Sequence, residues 1–251
     1  MEAYTSFAQV YDAFMDNIPY EEGCQYLCQL LQQYGIQDGL VAELGCGTGT
    51  LTELLSTSGY DMIGIDASPD MLELAQEKKS ASGHDILYLL QDMRNFELYG
   101  TVRAVISFCD SLNYITEPAD LEKVFQLVNN YLDPGGCFIF DFHTPYYYQN
   151  ILGDTTIAED RENMSFIWEN YYDEETGIHE LDLSIFLEES SGLYRKFQEE
   201  HFQRGYTLME IQQLLEEAGL EYVAAYDELS LNAPTSESTR IHVIAREQGK
   251  N

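Results

Sequence analysis

Three glycines at alternate positions follow a short apolar stretch that carries one acid. The stretch reads V-A-E-L-G-C-G-T-G-T, with the acid at Glu43 and the glycines at Gly45, Gly47 and Gly49. Glycine lets the backbone adopt positive φ and lets a ligand approach without a Cβ in the way. A helix expected to begin near Thr50 would point its N-terminus at that ligand. The spacing therefore predicts a strand, a turn and a helix around a cofactor that contains a nucleoside.

Two common nucleotide-binding motifs are not matched by this stretch. A dinucleotide fingerprint needs glycine at the sixth position of G-x-G-x-x-G, and this chain has Thr50 there. A phosphate-binding P-loop would end in G-K-[ST], and no lysine lies nearby. A turn that binds no ligand would need fewer glycines.

An acid also ends the second predicted strand, at the edge of the sheet where parallel α/β proteins bind ligands. Asp66 follows the strand D-M-I-G-I-D and lies 21 positions after Gly45. A carboxylate at that position can accept hydrogen bonds from both hydroxyls of an adenosine ribose. The alternative is an acid that only caps the next helix.

The pattern E/D-x-G-x-G-x-G resembles motif I of the class I S-adenosyl-L-methionine (SAM) dependent methyltransferases. The resemblance implies SAM as the cofactor, with Asp66 on the ribose and Asp92 on the adenine amino group. Met71 would lie against the adenine ring, although a core methionine is an equal alternative. The cofactor-binding positions that it implies are Glu43, Gly45, Cys46, Gly47, Gly49, Asp66, Ala67, Met71, Asp92, Met93, Cys109 and Asp110.

Two further segments resemble small-molecule methyltransferases. Residues 110–114, D-S-L-N-Y, lack the [ND]-P-P-[YF] motif of enzymes that methylate exocyclic amines of nucleic-acid bases. The N-terminal segment 4–15, together with a predicted inserted sheet after the fifth strand, is similar to small bacterial methyltransferases related to sugar-amine N,N-dimethyltransferases and glycine-type N-methyltransferases. In that group the N-terminal helix folds over SAM and its tyrosine, Tyr11 here, points into the site. The alternative is that Tyr11 packs against the core. The candidate catalytic residues are Tyr11, Asp110 and His143.

Strand and helix patterns alternate through residue 142, which predicts an α/β fold with a Rossmann-like, mostly parallel sheet. Strands at 222–227 and 240–246 would complete seven strands as an antiparallel hairpin. Period-two alternation from 164 to about 204 predicts a small inserted antiparallel sheet. The predicted SAM-binding core is therefore 1–150 and 205–251, with an N-terminal helical cap over 1–35, and the insertion is 151–204. The insertion would cover the substrate or form a homodimer interface.

Composition limits the partners. The chain of 251 residues has 44 acidic and 12 basic side chains and a formal net charge of -32, which disfavours nucleic acid. Its first residues do not resemble a signal peptide, and no apolar run approaches a membrane span of about 20 residues. Five cysteines without paired metal spacing fit a reducing cytoplasm, and we expect no metal centre.

These features predict SAM-dependent methyl transfer to a small polar acceptor, with an amine as one candidate. The reaction is an in-line displacement that yields S-adenosylhomocysteine, so the protein mainly aligns the acceptor and excludes water. Two alternatives stay open on the sequence. They are an RNA or protein methyltransferase, and a SAM-binding regulatory module that does no chemistry.

Overall fold

The computed structural model describes residues 11–12, 18–189 and 192–250. The strands are β1 (Gly39–Leu44), β2 (Tyr60–Asp66), β3 (Leu87–Leu90), β4 (Val102–Ser107), β5 (Leu132–His143), β6 (Thr156–Asp160), β7 (Met164–Asp173), β8 (Ile178–Glu188), β9 (Tyr194–Arg204), β10 (Leu220–Asp227) and β11 (Arg240–Glu247). The α-helices are α1 (Tyr20–Gln33), α2 (Thr50–Thr57), α3 (Pro69–Ser82), α4 (Pro118–Tyr131) and α5 (Leu208–Glu217). A 3₁₀ turn covers Ser111–Tyr114 and a π-helical turn covers Tyr147–Leu152.

The larger sheet has seven strands in the order β10-β11-β5-β4-β1-β2-β3. Strand β1 pairs in parallel with β2 on one side and β4 on the other, whereas β11 lies antiparallel between β5 and β10. The direction in which successive strands are added reverses at β1, and ligands of such sheets bind beyond the carboxyl ends at that point. This topology confirms the predicted mostly parallel sheet with an antiparallel C-terminal hairpin.

Helices cover both faces of this sheet. One face packs against α1, α2 and α3 through residues such as Leu30, Leu55 and Ala75. The other packs against α4 and α5, where the Phe138 and Phe140 rings stack with centroids 4.5 Å apart. Strands covered on both faces are apolar throughout, which fits their continuous hydrophobic runs. No helix in the described part of the chain combines the length and apolar character needed to cross a membrane.

A tyrosine fixes the glycine loop to the sheet. The ring of Tyr88 on β3 lies over Gly64 of β2, where an added Cβ would come within 2.6 Å of it. Its hydroxyl lies against Gly49, where an added Cβ would be 2.3 Å away. Gly49 also has a φ of 74° at the N-cap of α2. Glycine is therefore required at 49 both for its conformation and for this close approach.

The insertion forms a four-stranded antiparallel sheet in the order β6-β7-β8-β9. Its last three strands lie where the alternating pattern predicts them, but β6 was not predicted. Five residues, T-I-A-E-D, are too few and too polar for a period-two pattern to be recognised. Residues 133–136, D-P-G-G, have the composition of a turn but belong to the beginning of β5, whose pairing with β4 is interrupted after Val102.

The role of Gly49 can be tested by comparing two Gly→Ala substitutions. Gly83 ends α3 with a φ of 76°, and a Cβ there would have no neighbour within 4 Å. We expect Gly83→Ala to cost about 1 kcal/mol of unfolding free energy from backbone strain alone. Gly49→Ala should cost a further 1–3 kcal/mol, approximately, because Tyr88 is held over Gly64 and has no room to move. Urea unfolding measures both values, and equal losses would contradict this account.

Candidate functional site

A cavity of about 990 Å³ lies between the sheet core and the inserted sheet. Its lining comes from the glycine loop, from the segments that follow β2, β3, β4 and β5, and from β6 to β9. Ligand pockets in proteins commonly have volumes of about 300–1,000 Å³. This cavity therefore has room for a nucleoside-sized molecule and a second small molecule.

Nearly all of the predicted site residues line this cavity. They are Tyr11, Glu43, Gly45, Cys46, Gly47, Asp66, Ala67, Met71, Asp92, Met93, Cys109, Asp110 and His143. Gly49 does not line it, because this residue faces Tyr88 and Ala75 at the beginning of α2. The remaining members of the N-terminal segment, residues 1–10 and 13–17, lie outside the described residues.

Asp66 holds the glycine loop in place. Its Oδ2 accepts the Gly47 N–H at 2.8 Å, and its Oδ1 accepts the Ser68 N–H at 2.8 Å. Burial raises the pKa of this carboxyl. Gly47 has a φ of 53°, and a Cβ there would meet no protein atom within 4 Å. Because a carboxylate accepts about four hydrogen bonds, Asp66 can support the loop and still accept hydroxyl groups of a ligand.

Glu43 is a buried acid beneath the loop, with 3% of its surface exposed. The Thr52 hydroxyl donates to its Oε2 at 2.6 Å. Burial raises the pKa of Glu43 to about 8. A positively charged ligand in the cavity would favour the ionised form, since an opposite charge nearby lowers the pKa of a carboxyl.

Asp92 is paired with Arg94, which was not among the predicted site residues. Arg94 Nε lies 3.0 Å from both oxygens of Asp92, and Arg94 Nη1 lies 3.9 Å from Asp120. This hydrogen bonding lowers the pKa of Asp92 and raises that of Arg94. The two residues line the cavity together at the end of β3.

A partly buried ionic network forms at the end of β4. Arg240 donates through Nη2 to Asp110 Oδ1 at 2.8 Å and through Nη1 to Asp141. From the inserted sheet, Gln203 Nε2 donates to the other oxygen of Asp110 at 3.0 Å. The network also fixes unusual backbone, because Cys109 and Asp110 have φ values of 59° and 53°. Consecutive left-handed residues other than glycine are costly and typical of functional sites.

His143 is held as a neutral imidazole within the same network. Its Nδ1 lies 3.1 Å from the Thr239 carbonyl oxygen, which can only accept, so Nδ1 carries the hydrogen. Its Nε2 then accepts from Arg240 Nη2 at 2.8 Å. Burial and the nearby Arg240 charge lower the pKa of His143 to about 4. The lone pair of this imidazole is therefore already used within the protein.

Tyr11 lies at the cavity wall beside Tyr20, with which it shares a hydrogen bond. Burial raises the pKa of Tyr11 well above its usual value, so its phenol stays neutral. The neighbouring residue, Asp12, forms an ion pair of 2.6 Å with Lys78 and accepts a hydrogen bond from Thr48. These contacts hold the described part of the N-terminal segment against the glycine loop.

Three residues of the network were not found from the sequence: Asp141, Gln203 and Arg240. Asp141 is the lone acid in the apolar run C-F-I-F-D-F-H, and a buried acid there requires a partner. That signal was available, but it does not identify the partner. Arg240 lies 130 positions from Asp110, and only the folded sheet brings the two together.

Comparisons with known proteins identify the family of the chain. Residues 41–136 match a family described as "Methyltransferase domain". The chain is 32% identical to YqeM of Bacillus subtilis (strain 168), which is classed as a methyltransferase, over 97% of this chain and 96% of the relative. It is 26% identical to the dTDP-3-amino-3,4,6-trideoxy-alpha-D-glucopyranose N,N-dimethyltransferase of Streptomyces venezuelae, over 61% of this chain and 62% of the relative.

A solved structure shows the same fold over the full length. It is a S-adenosylmethionine-dependent methyltransferase from Clostridium acetobutylicum ATCC 824, with a TM-score of 0.88 and 27% identity. The match covers 99% of this chain and 100% of that one, so it includes the inserted sheet as well as the core. Because the glycine loop, the sheet order and a relative of 32% identity over nearly the whole length agree, the chain belongs to the class I SAM-dependent methyltransferases.

Proposed function

We propose that the protein transfers the methyl group of SAM to a small polar acceptor that presents an amine. The observation that supports this most directly is the continuous cavity, which joins the glycine loop to the inner face of the inserted sheet. A donor at the loop and an acceptor beneath the sheet would share one enclosed space. The relative from Streptomyces venezuelae, named as an N,N-dimethyltransferase of an amino sugar, further supports an amine.

The residues of the cavity fit SAM in charge and shape. SAM carries a sulfonium, an ammonium, a carboxylate and two ribose hydroxyls. In this proposal Asp66 accepts the ribose hydroxyls, and backbone N–H groups of the loop and of the first turn of α2 bind the carboxylate. Glu43 provides a negative potential for the two cationic groups. The open space beside Gly47 leaves room for the backbone to approach the ligand.

Asp110 is the best candidate to hold the acceptor amine. Bound SAM supplies an electrophilic methyl group, so the protein has to align the nucleophile and keep water away. Arg240 and Gln203 fix the Asp110 carboxylate from opposite sides, and it can still accept an amine N–H. Apolar residues of the inserted sheet, including Phe166 and Leu181, exclude water above it. We assign residues 151–204 as the cover of the substrate.

His143 and Tyr11 have other roles in this proposal. The Nε2 lone pair of His143 is engaged by Arg240, so the imidazole orients the guanidinium and takes no proton. Tyr11 is a neutral phenol whose oxygen can contact the acceptor or the methyl group. The acceptor amine loses its proton to Asp110 or to water before it attacks.

A label-transfer assay tests this function against its alternatives. Purified protein is incubated with methyl-tritiated SAM and a cell extract, which is then separated into acid-precipitated macromolecules and acid-soluble compounds. We expect the label in a new acid-soluble product resolved from SAM by chromatography. Label in precipitated RNA or protein would support the macromolecular alternative, and SAM binding without transfer to any fraction would support a regulatory module.

The inserted sheet is also tested for self-association. A homodimer through this sheet stays a prediction, and light scattering during size-exclusion chromatography measures it. A mass near 28.7 kDa, that of one chain, would contradict it.

Asp66 can be tested by calorimetric titration with S-adenosylhomocysteine. Loss of charge-assisted hydrogen bonds costs about 1.5–3 kcal/mol, so Asp66→Ala should weaken binding roughly 10- to 100-fold. Gly47→Val should also weaken it, because the side chain would occupy the space beside the loop. The matched control is Asp61→Ala, which removes an exposed acid from the same strand and should leave affinity unchanged. Wild-type affinity in both Asp66→Ala and Gly47→Val would contradict the assignment.

The protonation state of His143 predicts a specific pH dependence of stability. Its pKa is lowered from 6.5 to about 4 in the native state, so the unfolded chain takes up this proton first as the pH falls. His143 therefore does not lower the free energy of unfolding above about pH 6.5. Between there and about pH 4 it lowers the free energy of unfolding by up to about 3 kcal/mol.

His143→Gln isolates this effect, since an amide can replace both hydrogen bonds without titrating. Between pH 7 and pH 4 the unfolding free energy of wild type should fall by up to about 3 kcal/mol more than that of the variant, so the two curves separate as the pH falls. Parallel curves would show that His143 titrates normally. If His143 were the general base, its loss would lower the rate of label transfer by roughly 10²–10⁴-fold. Because we assign it no proton transfer, the variant should transfer label at a rate within about tenfold of wild type.

A further inference from the structure

Cationic side chains are scarce in this protein, and each can be located. The chain has 12 lysine and arginine residues, and all of them lie in the described part of the chain. Lys78 is the first along the sequence, so the undescribed stretches near the N-terminus contribute none. Arg94 and Arg240 are the two that line the cavity.

Both of these arginines are matched by more than one carboxylate. Arg240 is bound by Asp110 and Asp141, and Arg94 lies within 4 Å of Asp92 and Asp120. An anionic acceptor would compete with Asp110 and Asp141 for Arg240, and its binding there would leave the buried Asp141 carboxylate without its partner, which costs several kcal/mol. Arg94 is about half exposed, and Asp92 and Asp120 offset its charge.

Other cations near the cavity are matched in the same way. Lys78 contacts Thr48 and Thr50 of the loop, but its charge pairs with Asp12 at 2.6 Å. Arg161 forms an ion pair with Glu159 at the edge of the inserted sheet. The two histidines of the lining add no unmatched charge. His143 is neutral, and His201 Nε2 lies 3.2 Å from the Glu199 carboxylate.

Besides neutral polar side chains such as Ser111 and Gln91, the lining contains acids and aromatic rings. The carboxyl groups are those of Glu43, Asp66, Asp92, Asp110 and Glu159. Aromatic side chains on the acceptor side are Tyr11, Tyr114, Tyr147, Phe166 and Trp168. Carboxylates beside aromatic faces attract cations through charge and through the ring quadrupole.

We infer that the methyl acceptor is a cationic amine that bears no phosphoryl or free carboxylate group. The inference rests on the proposed methyl transfer and specifies its substrate class. It excludes acceptors carried on a nucleoside diphosphate, because a diphosphate would add negative charge to a cavity whose two cations are already neutralised. The whole chain, with a net charge of -32, would repel such an acceptor before it bound.

The carboxylate of SAM does not contradict this inference. Backbone N–H groups at the beginning of α2 can bind that single carboxylate without a cationic side chain. SAM as a whole is positively charged, so the same acidic lining favours it. The lining segments of the inserted sheet are strands, and the helix N-termini in the lining, those of α1, α2 and α3, all belong to the core.

Charge fractionation of a metabolite extract tests the inference. A small-molecule extract of the source organism is divided at pH 7 into compounds retained by a cation exchanger, compounds retained by an anion exchanger, and compounds retained by neither. Each fraction is incubated with the protein and methyl-tritiated SAM. We expect labelled product from the cation-exchange fraction. Product only from either of the other fractions would overturn the inference and leave methyl transfer intact.

Failure of the proposed function gives a different result. If no fraction yields labelled product while calorimetry shows that the protein binds SAM, methyl transfer to a small molecule is wrong, and the inference is wrong with it. The calorimetric titration needs no acceptor and therefore shows whether the preparation is folded. A misfolded preparation would not bind SAM, and the experiment would be repeated with a new preparation.

Two measurements on the recovered acceptor check its charge at the site. At saturating SAM, kcat/KM should fall several-fold as the ionic strength rises from about 10 mM to 300 mM, because salt screens attraction between opposite charges. Glu159→Gln should lower kcat/KM about two- to fivefold at low salt. Glu169→Gln, which removes an exposed acid of β7 outside the cavity lining, should leave it unchanged. A rise of kcat/KM with salt, or equal effects of the two variants, would contradict a cationic acceptor.

Discussion

The geometry of the site depends on the ion pairs of Arg240 with Asp110 and with the buried Asp141. The Asp141 carboxylate would cost several kcal/mol if it were buried alone, and a planar guanidinium can bind two carboxylates at once. Asp110 also sits in a left-handed conformation that costs about 1–3 kcal/mol. Arg240 begins β11, so Asp110 is held in place only when β11 has paired with β5.

The same contacts connect the inserted sheet to the core. Gln203 of β9 donates to Asp110 and accepts from Tyr148, while the fully buried Asn113 donates to the backbone of His143 and of Arg204. Hydrogen bonds between buried groups are expensive to leave unmade, so these partners resist separation. The sheet that closes the cavity is therefore held in register with the acid beneath it. One set of polar contacts therefore fixes both the inserted sheet and the position of Asp110.

Features that depend on neighbouring residues could be predicted from the sequence. The loop from Glu43 to Gly49 and the acid at Asp66 were predicted because a strand, a turn and a helix have local signatures. The short strand β6 was missed because five mostly polar residues carry too little pattern. The pairing of Asp92 with Arg94 is also local, and its spacing of two residues is visible in the sequence.

By itself the sequence determined the sheet, the insertion and the class of cofactor, because hydrophobic periodicity and glycine spacing are properties of short segments. Only the tertiary structure decided which charges meet in the cavity. His143 looks like a base in the sequence, yet burial and Arg240 hold it neutral with its lone pair engaged. The charge that we propose for the acceptor likewise rests on how Asp110, Asp141 and Arg240 neutralise one another. Ionisation depends on solvent exclusion and on partners far apart in the chain, which only the fold brings together.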